Sequence, residues 1–254
     1  MKEWITGKNP VYEVLQAKRR PSFRLWVAVG IQQKGRLVEI LRLAAEKKIT
    51  VDWVPRLKLD EMSDSHQGVA LEVSSYPYSS VDEILENAFS RVELPFILVL
   101  DLIQNPQNLG VLLRTAEAVG IHGVLIPLAR AALVTPAVVT ASAGACEHLL
   151  IAQVNLAQAI THLKEADTWV IGLEGTPTNQ PLDEVDLDRP IALVVGNEGE
   201  GMRPLVRRSC DVVASLPMRG RVKSLNAAVA GSIALYMALQ ARTPGHAAQT
   251  KNPS

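Results

Sequence analysis

Residues 96–120 read FILVLDLIQNPQNLGVLLRTAEAVG. The first five, Phe96 to Leu100, form a continuous apolar run, as expected of a strand covered on both faces. Polar residues begin at Asp101, and Pro106 bars a helix from continuing behind it. Beyond the proline, Leu109, Leu112, Leu113, Ala116 and Val119 recur at the three-and-four spacing of one helical face. A buried strand running at once into an amphipathic helix is the repeating unit of an α/β fold. Working outward, strand patterns recur at 123–126, 149–152, 168–173, 191–195 (IALVV) and 212–216. Helical patterns fill the gaps at 108–119, 135–144, 155–165, 202–209 and 224–241. This alternation predicts an α/β domain over 95–242 with a mostly parallel sheet.

Upstream, Val81, Ile84, Leu85 and Ala88 mark an amphipathic helix, preceded by the polar, proline-bearing stretch SSYPYSS at 74–80. Residues 76–94 are therefore expected to be a linker and leading helix. Residues 1–75 read as a smaller α/β domain. Strands are expected at Phe23–Val29, Ile49–Val54 and Val69–Val73, and a helix over Gly35–Lys48. The polar tail 243–254 is expected to be disordered.

Composition bounds the function. Hydrophobic residues make up 48% and charged residues 20%, the balance of a globular chain rather than a disordered one. The two cysteines, Cys146 and Cys210, have no metal-site spacing, which disfavours a zinc site or a disulfide framework. They read as core thiols, and the absence of an apolar leader segment makes a reducing, cytoplasmic setting the expectation. The uncharged run 224–241 has the length of a bilayer span. Polar residues and abundant alanine make it a buried helix instead, and no membrane partner is expected. Net charge is zero, but residues 1–75 carry 13 Lys and Arg against 9 Asp and Glu. That excess sits with Trp4, Tyr12, Phe23, Trp26 and Trp53, a pattern of a module that meets a polyanion. Arg19, Arg20 and Arg24 are the candidate contacts, with a solvated charge run as the plain alternative. His66 is a weaker candidate, a bland loop histidine being the alternative.

Three segments carry unusual polar content. In the first, Asn108 is suited to cap the helix after the opening strand, and Arg114 lies off its buried face. A cap and a surface arginine would account for both without function. The second, IALVVGNEGEGM (191–202), places Gly196, Gly199 and Gly201 within six residues after a buried strand. Its glutamates would repel a pyrophosphate, which disfavours NAD and ATP, while a cationic sulfonium cofactor is compatible. The third, LPMRGRVKSLNAAVA (216–230), bears Arg219, Arg221 and Lys223, then Ser224 as the expected cap of an uncharged helix carrying Asn226. Each segment has a structural reading of its own. All three sit where a buried strand ends, which in open α/β sheets is where ligands bind.

These segments, with TASAGACEHL between them, resemble the three motifs of the SpoU branch of the SPOUT methyltransferases. GKNPVYEVL and SHQGVALEV further resemble the bacterial enzymes that methylate the 2′-oxygen of a 23S ribosomal RNA guanosine. The resemblance implies a deep trefoil knot in the C-terminal domain and a small ribosomal-protein-like RNA-binding domain in front. It implies a homodimer with the site near its interface, RNA as substrate, no metal, and S-adenosylmethionine (AdoMet) as cofactor. The cofactor would lie on Gly196, Asn197, Gly201, Leu216, Met218 and Leu225. The catalytic set carried over is Asn108, Arg114, Glu198, Ser224 and Asn226, with Asn108, Ser224 and Asn226 expected to hold Arg114 and the ribose. Arg219, Arg221 and Lys223 would contact RNA. A transfer-RNA ribose methyltransferase and a non-catalytic RNA-binding assembly factor are the rival readings.

Overall fold

The computed structural model describes residues 2–175, 179–222 and 224–243. In chain order the first half forms β1 (Lys2–Thr6), α1 (Lys8–Ala17), β2 (Ser22–Ala28), α2 (Arg36–Glu46), β3 (Thr50–Val54), α3 (Arg56–Asp60), β4 (Val69–Ser74), α4 (Val81–Ser90), β5 (Phe96–Leu100) and α5 (Pro106–Ala118). The second half forms β6 (Gly123–Pro127), α6 (Pro136–Ala141), β7 (Ile151–Val154), α7 (Leu156–Glu165), β8 (Trp169–Leu173), β9 (Gln180–Pro181), β10 (Ile191–Val195), α8 (Pro204–Ser209), β11 (Val212–Ser215) and α9 (Ala227–Arg242). The chain divides into two compact units, residues 1–77 with 133–148, and residues 78–132 with 149–254.

The first unit has a mixed sheet in the order β1-β4-β2-β3, with β2 and β3 parallel and β4 antiparallel to both its neighbours. Strand β1 and helix α1 were not expected. Pro10 in KNPVYEVLQA sits in the first turn, where its missing N–H costs nothing, and α1 buries Pro10, Val11, Val14 and Leu15. The pattern at 135–144 is a short helix, α6, followed by a 3₁₀ turn over Ala145–His148, and both belong to this unit.

That middle segment supplies Glu147, and Glu147 changes the reading of Arg20. Arg20 is 5% exposed. It donates to Glu147 Oε1 at 2.6 Å, to the Ser74 carbonyl at 3.0 Å and to the Glu3 carboxylate. Arg20 is thus consumed by buried ion pairs and is not presented to RNA. Arg19 is half-buried and donates to Tyr76 Oη at 3.1 Å and the Pro77 carbonyl at 3.2 Å. Of the three arginines only Arg24 is exposed, loosely paired with Asp52 at 3.5 Å. Burial pushes the Glu147 carboxyl up, and the Arg20 charge opposes that. Arg20→Met would strand a carboxylate in a dry site, and we expect a loss of about 3 kcal/mol of stability in urea unfolding. The Arg20→Met/Glu147→Leu double variant should recover most of it. Equal losses in single and double variants would mean that the pair's electrostatics are not what matters.

His66 is also structural. It is 1% exposed, its Nδ1 accepts from the Gly68 N–H at 2.9 Å, and its Nε2–H donates to Asp60 at 2.8 Å. Burial raises the Cys146 thiol to about 12 and the Cys210 thiol to about 11, which leaves both unreactive at neutral pH.

In the second unit the described strands form a seven-stranded sheet in the order β7-β6-β5-β10-β8-β11-β9, with every pair parallel. Strands β5, β6 and β10 are buried along their whole length, the physical reason their sequences are unbroken apolar runs. Helix α4 opens with a capping box between Ser80 and Glu83. Two expected caps shift. Asn105 caps α5, its side chain accepting from the Gln107 N–H at 2.8 Å, so Asn108 lies inside the helix. Asn226, not Ser224, caps α9, accepting from the Ala228 and Val229 N–H groups at 2.9 and 3.2 Å. No helix among the described residues is long and apolar enough to cross a membrane. The tail expected to be disordered lies, beyond Thr243, outside the described residues.

Candidate functional site

Because the sheet is parallel, the C-terminal ends of β5, β10, β8 and β11 lie along one edge. Each ends in a loop with a distinct job. Asp101, at the end of β5, is fully buried and accepts from both the Arg203 backbone N–H and Nε, each at 2.7 Å. It thereby anchors the far end of the loop that leaves β10. That loop folds back on itself: Asn197 and Gly201 exchange backbone hydrogen bonds of 3.0 Å in both directions. Asn197 also donates from Nδ2 to the Leu102 carbonyl at 3.1 Å, and its Oδ1 accepts from the Gly199 N–H at 2.9 Å. The return is tight enough that no side chain fits at Gly196, and Gly201 has φ +69. The glycines expected for close approach are there for that reason.

A cleft of about 270 Å³ opens between this loop and the ends of β8 and β11. Its apolar wall includes Leu173, Leu216, Met218 and Leu225, and its polar groups include Glu174, Glu198, Glu200 and Ser224. Every residue expected to hold a cofactor, namely Gly196, Asn197, Gly201, Leu216, Met218 and Leu225, lines it. Glu174 also lines the cleft and was not expected. It follows β8, whose sequence WVIGL carries no polar signature, and only the sheet order brings it beside β10.

At the α5 and α9 side of the cleft, Glu198 is the centre of a polar cluster. Asn108 donates from Nδ2 to Glu198 Oε1 at 2.7 Å, Asn226 donates to the same oxygen, and the Ala227 N–H approaches it at 3.4 Å. Asn226 Nδ2 also reaches Asn108 Oδ1 at 3.3 Å. The structure therefore joins one residue from each of the three sequence segments. The expected grip of these asparagines on Arg114 is not what it shows: they hold Glu198. Arg114 is exposed on α5, does not line the cleft of its own chain, and makes no hydrogen bond or ion pair among the described residues. Ser224 lines the cleft and is exposed. Arg219 and Arg221 are exposed on the loop after β11, and Lys223 lies outside the described residues.

Comparison with known proteins gives the family and the fold. The SpoU rRNA Methylase family matches residues 95–236, and residues 4–79 match the RNA 2′-O ribose methyltransferase substrate-binding domain. A protein of Bacillus subtilis (strain 168) named for the TrmH family of tRNA/rRNA methyltransferases is 41% identical over 244 residues, 95% of this chain and 97% of the relative. Among solved structures, the SpoU methyltransferase AviRb of Streptomyces viridochromogenes in complex with AdoMet superposes with a TM-score of 0.79 at 24% identity, covering 95% of this chain and 90% of that one. The AdoMet-bound rRNA methyltransferase of Sinorhizobium meliloti gives 0.75 at 22% identity, covering 93% and 86%. A TrmH/SpoU tRNA modifying enzyme of A. aeolicus gives 0.54 at 26% identity and covers 64% of this chain and 80% of that one.

Proposed function

Because the chain belongs to the SpoU rRNA methylase family and is an RNA 2′-O ribose methyltransferase, we propose that the cleft beside Gly196 takes AdoMet and that the RNA methylated is ribosomal, a 23S guanosine. The observation that carries the site is the Asn108–Glu198–Asn226 cluster at the mouth of a glycine-walled cleft. The cleft suits the cofactor's chemistry. It has apolar residues for an adenine, carboxylates for a cation and no room for a pyrophosphate's charge. When bound, AdoMet supplies a methyl group from its sulfonium.

The chain's residues do the rest. Glu198 is held by neutral donors beside the reacting region. Asn108 and Asn226 fix its position. A guanidinium is too weak an acid to serve as a proton shuttle, so the role of Arg114 is electrostatic: it grips a backbone phosphate and stabilises negative charge developing on the 2′-oxygen. Arg24, Arg219, Arg221 and Lys223 are the proposed further RNA contacts. The reading keeps the trefoil knot that the motifs imply. The substrate-binding match over 4–79, distinct from the methylase match, supports an RNA substrate, and the preference for ribosomal RNA rests on the resemblance of GKNPVYEVL and SHQGVALEV to the 23S enzymes.

The same reading includes a cytoplasmic homodimer. Val229, Ile233 and Tyr236 form an exposed apolar stripe on α9, 41–48% accessible, with Val111 on α5 at 44%. The two helices are tied by a 2.9 Å hydrogen bond between Thr115 and Ser232. Arg114 shares the exposed side of α5 with Val111, so a second copy seated here would bring Arg114 into the interface. Ile233→Asp is expected to shift the protein from dimer to monomer in light scattering and to lose activity with it. An unchanged mass would remove α9 from the interface.

The function is tested with labelled AdoMet and deproteinised ribosomal and transfer RNA, followed by mapping of the modified ribose. Label in 23S RNA at a guanosine 2′-oxygen is the expected result. Label in transfer RNA alone would overturn the substrate, and AdoMet binding without label in any RNA would overturn the proposed catalytic role of the site.

A further inference from the structure

The cleft holds carboxylates in two different electrical states. Glu198, on the α5 and α9 side, is bound by two asparagine amides and a backbone N–H, all uncharged. Glu174, at the end of β8, is bound by a cation: Arg207 on α8 donates from Nε to Glu174 Oε2 at 2.8 Å. The pair is built rather than incidental. The Glu174 backbone N–H is fixed to the Ala214 carbonyl of β11 at 2.9 Å, and its own carbonyl accepts from Asn179 Nδ2 at 3.1 Å. Arg203, at the start of α8, is fixed by Asp101. The Glu174 side chain is 23% exposed and that of Arg207 46%. Oε1 lies against Gly201 on the cleft wall, 3.3 Å from where a Cβ there would stand, and has no hydrogen-bond partner among the described residues.

We propose that Glu174 is a cofactor-positioning residue that accepts, through Oε1, a hydrogen bond from a ribose hydroxyl of AdoMet, with Arg207 holding its other oxygen. The proposal rests on the AdoMet reading of this cleft. A carboxylate whose charge is already offset by a guanidinium is a good acceptor for a neutral hydroxyl and a poor counter-ion for a cation. The uncompensated Glu198 is the better neighbour for the positively charged part of the cofactor. Leu173 precedes Glu174, and Leu216 and Met218 stand on the neighbouring β11 side, which gives the nucleoside end an apolar wall for its base. The cofactor is thereby oriented, base and ribose toward β8 and β11, sulfonium toward Glu198 and the asparagines. Glu174 thus adds a side-chain contact to a site otherwise lined largely by backbone and apolar groups.

The test uses the full chain, wild type and Glu174→Met, titrated by calorimetry with AdoMet and with 5′-methylthioadenosine, which keeps the nucleoside and lacks the amino-acid end. Methionine keeps length and volume, and Arg207, half-exposed, can turn to water. Both ligands should bind the variant about tenfold more weakly than wild type. The unfolding midpoint should be unchanged, and the kinetic loss should appear in KM for AdoMet rather than kcat. Glu174→Gln, which keeps a polar group for the hydroxyl, should fall between the two. Unchanged affinity for both ligands would overturn the proposal. Weakening for AdoMet alone would move the contact to the amino-acid end and overturn the ribose assignment. Failure of the wild type to bind either ligand is a different result, for it removes the AdoMet reading of the cleft itself.

Discussion

Arg114→Lys is expected to lower methyl-transfer turnover by about a hundredfold or more while leaving AdoMet affinity unchanged. The exposed position of Arg114 makes the split sharp. It neither lines the cleft nor pairs with a described residue, so the substitution removes no cofactor contact and breaks no fold-stabilising bond. Lysine keeps the charge and most of the reach. What it loses is the planar fork that can hold a phosphate and a developing oxyanion at once. Single-turnover methylation of RNA, with calorimetry of AdoMet binding alongside, reads the two effects separately. Near wild-type turnover would show that a point charge suffices and that the fork is irrelevant. A large loss of AdoMet affinity would place Arg114 in cofactor binding, against the geometry of its own chain. Mixed dimers sharpen the result. If Arg114 acts across the α5 and α9 face, a chain carrying Arg114→Lys should regain activity when paired with one that is intact at Arg114 and damaged in its cleft.

The parallel sheet was legible because burial on both faces leaves β5 and β10 as FILVL and IALVV, and periodicity then separates them from the amphipathic helices between. Strand order was not legible. Nothing local in IALVV says that it pairs with β5 and β8, because parallel neighbours are chosen by crossovers that leave no mark on the strand itself. The sequence likewise hid the affiliation of residues 133–148. Their pattern continues the strand–helix rhythm, yet Glu147 closes an ion pair with Arg20, 127 positions away. That contact also explains why a basic run read as an RNA surface is partly an interior. Charge in a sequence carries no sign of whether its partner lies in the solvent or elsewhere in the chain.

The candidate cluster was legible in its members and less so in its bonds. Asn108, Glu198 and Asn226 were named from three segments, and the structure joins them. Their roles shifted by small displacements of the helix starts. The start of α5 at Pro106 gives the cap to Asn105 and frees the Asn108 amide for Glu198. Asn226 does both tasks, its Oδ1 capping α9 and its Nδ2 holding the carboxylate, as an amide with one acceptor and two donors allows. Glu174 went unnoticed because the signal for it is spatial: an acidic residue after a strand is ordinary until the neighbouring strand ends in a glycine loop.

Gly196→Ala is expected to abolish measurable AdoMet binding, with no methylation at any cofactor concentration short of millimolar. The added Cβ would stand 2.5 Å from the Met202 nitrogen and 2.6 Å from the Gly201 carbonyl oxygen. Both neighbours are backbone, so no side-chain rotation relieves the clash. Relief requires opening the turn, and the turn is closed at three points: the paired Asn197 and Gly201 bonds, the Asn197 side chain on the Leu102 carbonyl, and Asp101 on Arg203. The loop must either break these or move as a body, and either motion displaces Glu198, which sits two residues on and carries both asparagines. One methyl group therefore reaches the cofactor wall and the polar cluster together, which neither Glu174→Met nor Arg114→Lys does. The sheet should survive, because Val195 and the rest of β10 pair upstream of the turn. The expected signature is thus a chain with near-native circular dichroism and a cooperative unfolding transition that shows no thermal shift on adding AdoMet. Wild-type affinity in this variant would mean that the loop opens freely in solution, and the cleft wall argued from its closed form would have to be redrawn.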